Sequence, residues 1–159
     1  ITGSLLESYE AAISAIPLLV TFIPMLMDTG GNSGAQATTM IIRGLALDEI
    51  EPKDVLRVWW KEVRVALTVG TMLSAVNFLR IIIQYRSSPI CFQIALAVSL
   101  TLIATVVIAK SLGCLLPMLS KRLNLDPAVV AAPTLTTITD ACSIVVYFNV
   151  AVALLGKLL

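Results

Sequence analysis

Four apolar blocks, each long enough to cross a lipid bilayer as a helix, run 11–43, 63–83, 90–116 and 128–158. About 20 residues at 1.5 Å each span the hydrocarbon layer, and a helix satisfies its own backbone hydrogen bonds there. The rest of the composition agrees: 58% of residues are hydrophobic, 13% are charged, and the mean hydropathy is +0.95. Soluble domains do not show such values. The 159 residues therefore read as one all-α, polytopic membrane helix bundle in a cell membrane.

Several classes drop out. Eleven basic against ten acidic residues give no case for a nucleic-acid partner. Histidine is absent, which removes the commonest transition-metal ligand. Cys91, Cys114 and Cys142 stand singly without C-x-x-C spacing and read as small buried hydrophobes. No nucleophile with a base, no phosphate loop and no metal-hydrolase pattern appears, so the chain does not read as an enzyme. The opening ITGSLLESYE lacks a charged region before an apolar core, unlike a signal peptide, and reads as a chain entered partway.

The main polar connection is RGLALDEIEPKDVLRVWWKEVR. Glu51 before Pro52 suits a helix start, and Trp59 with Trp60 suits the headgroup level, so 48–62 is expected to be an interfacial helix running into the second span. Arg43, Lys53, Arg57, Lys61 and Arg64 in this connection, and Lys121 and Arg122 in the third, put both on the cytoplasmic side. Asp126 and Pro127 mark the start of the last block.

One carboxylate breaks that last block. Asp140 costs about 2.5 to 3.5 kcal/mol near a bilayer centre, so it must face a wet cavity or a partner. Helical spacing puts Thr136, Thr137, Asp140 and Ser143 on one face. The structural alternative is an interhelical hydrogen bond or a basic partner, but Lys110 and Arg80 belong at other depths. A second polar patch, DTGGNSGAQATT, lies within the first block and spaces Asn32, Gln36 and Thr39 by steps of three and four. Its Gly30 and Gly34 also form a G-x-x-x-G packing motif, so packing and pore lining are both open. Pro17 and Pro24 are candidate kinks.

The stretches PMLMDTGGNSGAQATTMIIRGLALDEI and LLPMLSKRLNLDPAVVAAPTLTTITDACSIVVYF resemble the signature region and the last two membrane helices of the MgtE family of magnesium channels. The resemblance implies a homodimer with five membrane helices per subunit and a pore at the two-fold axis, formed chiefly by the second and fifth. On that mapping the four blocks are helices two to five, residues 1–8 are the tail of the first, and the family's cytoplasmic and CBS domains are missing. Two copies of Asp140 would then hold a hydrated Mg2+, with Thr136, Thr137 and Ala132 as further metal-site residues. Asn32, Gln36, Gly31 and Ser143 would line the pore, and Glu7 and Asp28 would be acids at its mouths.

The physics of the ion agrees with such a site. Mg2+ is small, prefers octahedral oxygen ligands and gives up water reluctantly, so a selective site is wide and ringed by oxygens. Two other classes remain at this point. One is a secondary transporter coupling divalent cation movement to H+ or Na+; the other is an assembly module with Asp140 as interhelical glue.

Overall fold

The computed structural model describes residues 2–156, leaving out the side chains of Leu5, Ser8, Ala11, Ala12, Val130, Ala132 and Pro133. Two short helices, α1 (Thr2–Ser8) and α2 (Glu10–Ala15), lead into four long ones. These are α3 (Ile23–Ala46), α4 (Val55–Gln84), α5 (Cys91–Arg122) and α6 (Pro127–Leu155). No strand occurs among the described residues. The segments Pro52–Gln84, Cys91–Arg122 and Thr134–Leu155 are long and apolar enough to cross a membrane. α3 falls outside that set because its middle is the polar patch.

The block expected over 11–43 is not one helix. Pro17 has no N–H to donate and forces Ile16 into an extended φ of −135°, so α2 stops and a 3-10 turn, Pro17–Phe22, intervenes. Pro24 then falls in the first turn of α3, where a missing N–H does no harm. The segment expected to run into the second span does so: a 3-10 turn, Pro52–Asp54, feeds directly into α4. Two short connections end in left-handed caps, Asp48 (φ 55°) after α3 and Asn124 (φ 56°) after α5. In each, the next N–H returns to the helix, from Glu49 to the Gly44 carbonyl and from Leu125 to that of Ser120, both at 2.9 Å.

α5 is the central helix, packed against α3, α4 and α6. It lies antiparallel to α4: Gly70 approaches Ile103, Ser74 and Ser99 exchange hydroxyl-to-carbonyl bonds (3.1 and 3.4 Å), and the Cys91 thiol meets the Ile81 carbonyl. It lies parallel to α3, whose small residues Gly30, Gly34 and Ala37 are buried on one side. At the closest crossing, a Cβ on Gly113 would collide with the Gly34 carbonyl oxygen. Pro117 lies inside α5 and cannot bond the carbonyl four residues back, that of Gly113. Thr38 of α3 takes that acceptor through its hydroxyl, at 3.2 Å. The glycine and the proline together therefore make one interhelical lock.

Candidate functional site in the middle of the bundle

α6 buries a row at steps of four: Ala131, Leu135, Thr139, Ser143, Tyr147, Ala151 and Leu155. Each such step advances about 40° round a helix, so the buried face winds along α6 rather than staying on one side. The consequence separates two residues that share a helical face. Thr136 is exposed, whereas Ser143 is buried and donates to the Thr139 carbonyl at 2.7 Å. Asp140 is half-buried beside the row, and Thr137 is exposed. Ala132 lies outside the described side chains.

Gly30 fixes the depth of this region. A methyl there would lie 2.8 Å from Thr105 Cγ2 on α5 and 2.8 Å from Thr139 Cγ2 on α6. Gly34, one turn on, approaches Leu135, so α3 and α6 are antiparallel. Asp140 follows Thr139 and thus sits at the level of Gly30 and Gly31. The hydroxyls of Thr105 and Thr139 are buried without a partner among the described residues. Their methyls, not their hydroxyls, meet the glycine.

The other face of α3 is polar and open. Asp28, Asn32, Gln36 and Thr39 are exposed, and at Gly31 an added Cβ would meet nothing within 4 Å. Glu7, on α1, is exposed as well. Among the described residues the ion pairs are Lys53 with Glu51 and Lys110 with Glu62, so no basic group neutralises Asp140. Nor do three acidic or thiol side chains converge there as a metal cluster. A single copy thus brings Asp140 and a polar stripe that includes Asp28 to this region.

Sequence reasoning missed a second polar centre. Lys110 of α5 is 4% exposed, pairs with Glu62 of α4 at 3.4 Å, and donates to Gln36 Oε1 at 3.3 Å. The signal was present, since a lysine in an apolar block raises the same question as Asp140. Its partner lies 48 residues away, beyond any local pattern. Next to it Trp59, paired with Trp60 in the sequence reading, turns inward and donates to Ser111 Oγ at 3.0 Å, while Trp60 stays exposed. Glu62 also borders a cleft of about 600 Å³ at the end of α3, where Arg43, Arg57, Lys61 and Arg64 gather with Glu49 and Asp54. On the turn at its edge, Glu51 accepts from Lys53 at 2.7 Å.

The profile of the family described as "MgtE: Divalent cation transporter" matches residues 23–150. The Magnesium transporter MgtE of Thermus thermophilus is 35% identical over 155 residues, covering 98% of this chain and 33% of that protein. The proteins of that name from Bacillus subtilis and Enterococcus faecalis are each 31% identical, over 158 and 150 residues, covering 99% and 94% of this chain. The chain spans about a third of the length of these relatives.

Proposed function

Since the chain belongs to the MgtE family of divalent cation transporters, we propose that two copies form a magnesium-selective channel whose ion path runs between their α3 and α6 helices. The observation that carries the reading is the pairing of an open polar stripe on α3 with Asp140, which pairs with no basic group among the described residues, at the same depth of an apolar bundle. Lipid cannot solvate Asp28, Asn32, Gln36 and Asp140, so these groups belong against water. A second copy related by a two-fold axis closes that water-filled space and brings a second Asp140 to it. The four long helices α3 to α6 then make one ion-conducting domain.

Hydrated Mg2+ is the substrate that suits such a passage. Two carboxylates facing each other repel strongly in a low dielectric, and a divalent cation between them removes the repulsion. The ion's own waters reach the oxygens around it, so the protein need not strip them. Thr136 and Thr137 border the site, while Asn32 and Gly31 line the passage. The buried Ser143 serves the packing of α3 on α6 instead.

The test is dye-reported Mg2+ uptake into liposomes holding the complete protein, beside Asp140→Asn, with no other ion gradient. Uptake that vanishes in a variant still dimeric by crosslinking is the expected result. Uptake that needs an opposing H+ or Na+ gradient would replace the channel by a coupled transporter. Unaltered uptake in the variant would refute the Asp140 path.

A further inference from the structure

We infer that Lys110 is a positioning residue: held by Glu62, it fixes the Gln36 side-chain amide so that its amino end, not its oxygen, is turned to the open face of α3. The inference rests on the ion path proposed above. Burial makes the lysine informative. Its side chain is 5% exposed and that of Glu62 13%, and a buried ion pair is no more stabilising than an apolar pair of similar shape. Stability alone therefore does not account for it. What the pair adds is reach, since one ammonium ties α5 to α4 and to Gln36 on the polar stripe of α3.

The amide orientation follows from chemistry. An ammonium has only donors, so the Gln36 atom facing it must be the oxygen. The amino group is then left for the exposed side of this exposed residue. Gln36 lies six residues past Gly30, about 9 Å along α3 toward the cytoplasmic end. An N–H donor there neither ligates a cation nor accepts from its hydration shell. Conduction requires a site strong enough to admit the ion and a route weak enough to release it. Lys110 thus keeps the stretch inside Asp140 free of a second tight site.

Exchanging the pair, Lys110→Glu with Glu62→Lys, tests this directly. The ion pair persists, but a carboxylate only accepts, so the Gln36 amide must turn over and present its oxygen to the path. In liposomes holding the complete protein, half-saturating Mg2+ and maximal uptake should both fall, each by about tenfold, the size of one hydrogen bond involving a charge. Adding Gln36→Leu to parent and exchanged proteins should abolish the difference between them. A purely structural pair moves neither parameter, so an exchanged protein matching the parent overturns the inference, as does a difference that survives Gln36→Leu. If the exchanged protein does not reach the membrane, Gln36→Glu decides. It keeps an acceptor for Lys110 and offers a second oxygen to the path, so the same double fall is expected and parental values overturn the role. Uptake persisting in Asp140→Asn would instead overturn the path itself, and the two failures are told apart by which variant is silent.

Discussion

Replacing Gly113 by alanine should be far more damaging than its single methyl suggests. The new Cβ would overlap the Gly34 carbonyl oxygen and lie 3.0 Å from Ala37 Cβ, and a backbone atom cannot rotate away as a side chain can. The two helices must separate, at an overpacking cost of about 1 to 3 kcal/mol. Separation also stretches the Thr38 hydroxyl bond to the Gly113 carbonyl, already 3.2 Å, whose loss in a membrane protein removes roughly 0.6 kcal/mol. Against this stands the propensity gain of alanine over glycine in a helix, about 0.5 to 1 kcal/mol. The net expectation is destabilisation by ~1 to 3 kcal/mol. Gly31→Ala provides the contrast, since nothing lies within 4 Å of its added Cβ and only the propensity gain remains. Reversible unfolding of both variants in mixed micelles measures the pair. If Gly113→Ala proves as stable as Gly31→Ala, the α3–α5 contact is not the tight crossing described here.

Three further outcomes are expected. Lys110→Met leaves Glu62 buried without its partner and should destabilise by about 3 to 5 kcal/mol, with Lys110→Met/Glu62→Leu recovering most of it in the same unfolding assay. Tyr147→Phe removes a buried hydroxyl that donates to the Leu19 carbonyl at 2.9 Å, and should cost about 1 kcal/mol while loosening the turn before α3 to proteolysis. Mg2+ at about ten times its dissociation constant should raise the parent's stability by ~1.4 kcal/mol. Asp140→Asn should show no such rise, and a similar Mg2+ effect in both proteins would place the bound ion elsewhere.

Much of the candidate site was legible before folding. Asp140, Asn32 and Gln36 were visible because a polar group inside an apolar block is costly enough to demand a reason. Ser143 shows the limit of that approach. Helical spacing puts it with Thr136, but environment depends on the neighbouring helix, and the α6 contact row winds about 40° with every step of four. The Lys110–Glu62–Gln36 centre shows another limit, because its members are 48 and 74 residues apart and no periodicity joins them.

The sequence by itself determined the solvent, the helical architecture and the positions where polar groups enter the apolar blocks, because bilayer thickness and backbone satisfaction leave a chain of this hydropathy little else to form. It also marked the breaks, since Pro17 and the polar connections act on their own local backbone. Tertiary structure decided which face of each helix is closed. Gly30, Gly34 and Gly113 look alike in sequence to Gly31, yet threonine methyls from two neighbouring helices crowd Gly30, backbone from a neighbouring helix crowds Gly34 and Gly113, and Gly31 is left open. Contact at that distance depends on where two helices cross, which no stretch of either helix encodes alone.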